Sequence, residues 1–220
     1  MKTTSLTILP EESCNRNKII SLISNKTGIA ENEIIDYRII RQSIDARKKV
    51  KFNLEIEFIT EGEVFLSEKT PFIFNDVRNS ETVIIVGAGP AGYFAAIQCL
   101  LSNIKPIIFE RGKSIDDRNK DIAIINKNFD VNPDSNYLFG EGGAGTYSDG
   151  KLFTRSKKRG DNKIVLQLLH YFGAEESVLI DSHPHIGTDK LHSIMRNIRN
   201  KIIDCGGEIY FEKKVVDIIT

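Results

Sequence analysis

The stretch Val83–Gly92, VIIVGAGPAG, governs how the rest of the chain is read. Val83-Ile-Ile-Val86 is an unbroken apolar run of strand length, as expected for a strand covered on both faces. Gly87-x-Gly89-x-x-Gly92 follows at once. Ala91 to Asn103, rich in Ala, Ile and Leu, reads as a helix, and Lys105 to Glu110 (KPIIFE) as a second short strand, which makes a βαβ unit with short connections. Glu110 ends that strand 18 positions after Gly92. A G-x-G-x-x-G alone is weak. A strand before it, a helix after it and an acid closing the next strand are the context a dinucleotide fingerprint requires. Gly87 permits a tight turn, Gly89 leaves out the Cβ where a pyrophosphate approaches the backbone, and Gly92 lets helix and strand pack closely. Pro90 and Ala91 open the helix, whose first N–H groups and partial positive charge favour phosphate. Glu110 can accept hydrogen bonds from ribose hydroxyls. The bland alternative is a glycine-rich packing turn.

Thr82 to Ile104 carries no charged residue and is long enough to span a bilayer. The glycines and Pro90 at its centre break a spanning helix but suit strand, turn and helix, so no membrane partner is expected. Of the 220 residues, 40% are apolar and 27% charged, with 30 basic against 30 acidic residues. Zero net charge argues against a chain built mainly to grip nucleic acid. Cys14, Cys99 and Cys205 form no C-x-x-C pair, and no signal peptide opens the chain, which points to a reducing cytoplasm.

Outward from the fingerprint, residues 1–77 read as a small α+β module and 78–220 as an α/β domain. In the first, Leu6 to Leu9 is a candidate strand, Glu11 to Asn25 a helix stopped near Gly28, and Tyr37 to Ser43 a strand. Val50, Phe52, Leu54, Ile56 and Phe58 alternate strictly with polar residues, the signature of a half-buried strand. SIDARKK (Ser43–Lys49) reads as a solvated turn, or as a contact surface for a phosphate, an RNA or a partner. Phe72-Ile-Phe74 is a short strand and Asn75 to Glu81 a polar linker. In the second part, a polar stretch runs from the end of the KPIIFE strand to about Asp134. Asp161 can cap a helix through Phe172, and Thr188 another with Leu191, Ile194, Met195, Ile198 and Ile202 as its stripe. Glu208 to Phe211 and Val215 to Ile219 read as strands.

FGEGGAGTYSDGKL (Phe139–Leu152) holds five glycines. Gly145 to Lys151 matches the start of a P-loop, but Leu152 stands where Ser or Thr must ligate Mg²⁺, and no clean strand precedes the loop. GAGPAG with FERG, the latter contributing Glu110 and Arg111, resembles the FAD fingerprint of glutathione-reductase-type flavoproteins. With the glycine loop, HIGTD (His185–Asp189), GGEIYF (Gly206–Phe211) and SIDARKK, the chain resembles a bacterial family of uncharacterised FAD-dependent oxidoreductases. The resemblance implies FAD as cofactor, with NAD(P)H a candidate reductant, and Gly142, Gly143, Ala144, Gly145, Thr146 and Val215 as further cofactor contacts. It implies an incomplete Rossmann-like FAD-binding domain after the small module, the N-terminal portion of a longer protein; by itself this portion is expected to bind FAD weakly or not at all. It supplies neither a metal nor a catalytic residue. An exposed flexible loop is the plain alternative for the glycine segment.

His183-Pro-His185, with Asp181, Asp189 and His192 nearby, can be drawn as a metal site, and His185 as a proton-transfer group or a helix-capping turn. RSKKR (Arg155–Arg159) suits an NADPH phosphate, an acidic substrate or plain solvation. The expectation is a cytoplasmic FAD-dependent oxidoreductase of unknown substrate. An NAD(P)-linked dehydrogenase and a non-catalytic nucleotide-binding protein remain open.

Overall fold

The computed structural model of the chain describes residues 2–65, 72–152 and 162–219. RSKKR and the Asp161 cap lie outside the described residues. The elements are β1 (Lys2–Ile8), α1 (Arg16–Thr27), β2 (Ile34–Asp45), β3 (Lys51–Thr60), β4 (Thr82–Val86), α2 (Pro90–Leu101), β5 (Lys105–Phe109), α3 (Ile115–Asn128), α4 (Asn162–Tyr171), α5 (Ser177–Ile180), α6 (Thr188–Asp204) and β6 (Glu208–Tyr210). They fall into two compact units.

The first unit is built from residues 2–65 with 152 and 176–184. Its antiparallel sheet has the order β1-β3-β2, with Leu6 opposite Leu54 and Ile39 opposite Ile56. The alternation in β3 puts Leu54, Ile56 and Phe58 into one core with Leu6, Ile8, Ile34 and the Ile19 and Ile23 stripe of α1. α1 starts later than the sequence suggests. Pro10–Glu12 is a 3-10 turn, and the Asn15 side chain accepts from the Lys18 N–H at 3.1 Å to begin the helix, which Gly28 ends at φ 75°. Ser43–Asp45 of SIDARKK ends β2, and the rest of it leads into β3. Arg47 folds back there onto Asp45, with Nε at 2.9 Å and Nη2 at 2.7 Å, leaving Lys48 and Lys49 exposed.

The second unit holds 72–151, 162–175 and 185–219. Its sheet is parallel, order β4-β5-β6, with Ile84 beside Ile107 and Ile108 beside Ile209. β4, α2 and β5 form a Rossmann-like βαβ unit, so the chain is mixed α/β with a separate antiparallel sheet. The uncharged stretch from Thr82 is thereby resolved into strand, turn and helix. Among the described residues no helix is long and apolar enough to cross a membrane. α6 buries Leu191, Ile194, Met195, Ile198 and Ile202, the stripe its spacing predicts.

Several expectations are corrected by the structure. β4 is not covered on both faces: it ends the sheet among the described residues, and Val83, Ile84 and Val86 are 41%, 65% and 62% exposed. The polar stretch after Gly112 contains α3, hidden because Arg118 and Asp121 share its buried side with Ile115 and Ile122. Phe72-Ile-Phe74 is not a strand. Phe74 packs against Tyr171 and Phe172, with ring centroids at 5.5 and 6.0 Å. The segment read as a linker is tied down, with Val77 buried and its N–H on the Cys205 carbonyl at 2.8 Å. Val215 to Ile219 also forms no strand, since no neighbouring strand offers it a ladder among the described residues.

Candidate functional site

The carboxyl ends of β4 and β5 carry the site. Gly87, at φ 99°, turns the chain out of β4 and donates its N–H to the Phe109 carbonyl at 2.8 Å. Gly89 is the N-cap of α2, and Pro90 occupies the first turn. Among the described residues the N–H groups of Gly89, Ala91 and Gly92 meet no protein acceptor, as the first turn of a helix leaves them. A Cβ on Gly92 would lie 1.9 Å from the Gly87 carbonyl oxygen, so this glycine is what allows helix and strand to approach. Among the described residues an added Cβ at Gly87 or Gly145 would meet nothing within 4 Å, and one at Gly89 only the Gly143 Cα at 4.0 Å. The turn therefore presents bare backbone and free donors on one side.

Glu110 is buried and gathers this corner together. One carboxylate oxygen accepts from the Ala88 N–H at 2.7 Å. The other accepts from Gly112 at 2.8 Å and Gly140 at 3.1 Å. A carboxylate has about four lone-pair sites, so one is left without a donor among the described residues. Arg111 pairs with Asp134 and lies over the Phe139 ring, 4.0 Å from its centroid.

The glycine loop packs directly on the turn. Gly142 donates to the Ala88 carbonyl at 2.8 Å, and a Cβ on Gly143 would touch Pro90 Cδ at 3.3 Å. Two side chains that sequence reasoning does not single out hold the loop. Arg118, fully buried, donates to the carbonyls of Asn136 (2.8 Å), Gly140 (3.3 Å), Glu141 (2.7 Å) and Gly143 (2.9 Å). Glu141, also buried, accepts from Tyr93 Oη (2.6 Å), the Ile115 N–H (2.7 Å) and Arg199 Nη1 (2.6 Å). Burial, with the Glu141 charge beside it, holds the Tyr93 hydroxyl well above its ordinary range.

A cleft of about 340 Å³ opens here, lined by Gly87, Gly89, Glu110, Arg111, Gly143 and Val215 among the expected residues, and by Phe139 and Lys214. Pro90 and Ala91 stand exposed at the start of α2. Gly92 and Gly142 serve packing instead. Ala144, Gly145 and Thr146 lie in a 3-10 turn, and Thr146 turns its hydroxyl inward, where it is buried without a partner among the described residues. His185 does not reach this cleft. It lines another, of about 590 Å³, with Gly187, Thr188 and Lys190. Thr188 is not the cap of α6, which is Gly187; its hydroxyl donates to the Ser148 carbonyl at 3.1 Å. Ile186 donates to the Gly150 carbonyl at 2.9 Å, so HIGTD and the end of the glycine loop are fastened to each other.

Free amides, a Cβ-free cradle and a carboxylate with one vacant acceptor site fit the diphosphate and ribose of a dinucleotide. The first 59 residues match a family described as a domain of unknown function (DUF8436), a span that covers β1, α1, β2 and all but the last residue of β3. The chain is 34% identical over 218 residues to an uncharacterized protein of Clostridium beijerinckii, covering 92% of this chain and 41% of that protein. It thus spans about two fifths of that relative's length. Over 30 residues, 14% of this chain and 6% of the other, it is 57% identical to NADPH-dependent thioredoxin reductase 3 of Arabidopsis thaliana.

Proposed function

We propose that the second unit binds FAD and that the chain serves a flavin-dependent oxidoreductase. The observation that carries this is the seating of the glycine loop on the fingerprint turn, with Gly142 N–H on the Ala88 carbonyl while the first amides of α2 stay free. In this reading those amides receive the diphosphate, and Gly89 and Gly143 let it come close. Glu110 offers its fourth acceptor site to the ribose, and Val215 gives the base an apolar wall. When bound, the flavin supplies hydride or electron transfer, while the protein supplies binding and orientation. The Arabidopsis relative is named as NADPH-dependent, which makes NADPH the first reductant to try.

Titration of the purified chain with FAD, followed by flavin fluorescence, tests the reading. Saturable quenching that disappears in Gly89→Val is the expected result. A wild-type chain that leaves FAD fluorescence unchanged, yet alters that of NADPH, would instead indicate a nicotinamide nucleotide in the same cleft.

A further inference from the structure

Among the described residues Arg118 is a buried cation without a direct counter-ion. Its side chain comes from α3, a helix whose sequence gives no apolar stripe at this point, and it is 0% exposed. Among the described residues its hydrogen-bond acceptors are four main-chain carbonyls of the segment Asn136–Gly143 and no carboxylate. The Tyr147 ring centroid lies 4.7 Å from the guanidinium carbon, and among the described residues Nη2 has no hydrogen-bond partner. The two buried acids whose fields reach it are otherwise engaged: Glu110 by three amides, Glu141 by Tyr93, Ile115 and Arg199. Burial pushes the guanidinium below its ordinary value, and the fields of Tyr147, Glu110 and Glu141 oppose this. An arginine nevertheless keeps its charge in a protein. An apolar residue would fill this space at less cost than a buried charge with no ion partner.

The charge has a direction. Gly140 and Gly143, whose carbonyls Arg118 holds, both line the cleft. Gly140 must be glycine for this, because a Cβ there would stand 2.6 Å from Arg118 Cδ. The guanidinium thus lies behind the wall of the cleft, separated from it by the thickness of the loop backbone. At low effective dielectric such a charge is felt across that distance. We propose that Arg118 is a positioning residue for an anionic diphosphate: it draws the loop carbonyls away from the cleft and lends the cleft a positive potential, without touching the ligand. This rests on the dinucleotide reading, and extends it by assigning the electrostatic source.

Calorimetric titration of the chain with ADP and, separately, with adenosine tests it, using wild type, Arg118→Gln and Arg118→Lys. The wild type should prefer ADP. In Arg118→Gln the ADP affinity should fall about tenfold or more, while that for adenosine stays within about threefold, and Arg118→Lys should restore the ADP preference. A folded Arg118→Gln that keeps the wild-type ratio of ADP to adenosine affinity overturns the proposal, as does an equal loss for both ligands, which would mark Arg118 as scaffold only. If circular dichroism shows that Arg118→Gln does not fold, Arg118→Lys decides: a preserved ADP preference supports the charge, a lost one refutes it. A wild type that binds neither ligand defeats the dinucleotide reading itself, a result distinct from all of these.

Discussion

The carboxylate of Glu110 holds the N–H of Ala88 at 2.7 Å, so the end of β5 fixes the turn that leaves β4. The same side chain secures Gly112 and Gly140, and is therefore a three-way tie between two strands and the glycine loop. Glu110→Ala leaves three buried donors unsatisfied and should cost about 3 kcal/mol of stability. Glu110→Gln, which keeps one acceptor oxygen, should cost less. Urea denaturation of the three proteins checks the order, and an alanine variant as stable as wild type would contradict the tie.

The glycines of the site divide by what a methyl group would strike. Gly92→Ala sets a Cβ against the Gly87 carbonyl, a backbone atom that cannot step aside, and should destabilise by about 2 kcal/mol or more. Gly145→Ala meets open space and should leave stability within about 0.5 kcal/mol. If the glycine loop faces a ligand there, Gly145→Ala will show it as weaker FAD binding at unchanged melting temperature. Thermal melts with and without FAD separate the two effects.

What the sequence discloses and what it conceals follow from one physical distinction. Elements that bury apolar side chains at a regular period are visible: the alternation in β3, the fingerprint helix, and the stripe of α6. α3 escapes because it buries polar groups. Positions 115, 118 and 122 are spaced as one helical face, but the middle one is arginine. A charged residue between two helically spaced isoleucines is the available signal. Glu141 lies inside the glycine loop yet carries no signal of its own, since only the fold brings Tyr93 and Arg199 to it. Exposure of β4 is likewise beyond sequence, because an apolar run does not say how many neighbours it has.

Tyr93 makes stability depend on pH at the alkaline end. Its hydroxyl is raised well above 10 by burial and by the Glu141 charge. The folded chain therefore keeps this proton more tightly than the unfolded chain does. Its stabilising effect is complete below the unfolded value near 10 and is lost as pH rises through the higher folded value. Melting temperature should fall more steeply above pH 10 in wild type than in Tyr93→Phe. At neutral pH Tyr93→Phe should cost about 1 to 2 kcal/mol, because Glu141 loses one of its three donors. Parallel slopes in the two proteins would rule out Tyr93 as the group responsible.

β4 and β5 are both apolar strands of the same length with opposite environments, which allows a direct comparison. Ile84 in β4 is 65% exposed, whereas Ile108 in β5 is fully buried. Ile108→Ala should cost about 3 kcal/mol through lost burial and the cavity left behind. Ile84→Lys should change stability by no more than about 0.5 kcal/mol. Since β4 ends its sheet among the described residues with apolar side chains in water, it is also where copies of the chain would pair edge to edge. Lysine at position 84 should therefore lower light scattering at high protein concentration, a change that Ile108→Ala cannot produce. Equal destabilisation by the two substitutions would mean that β4 is covered in solution.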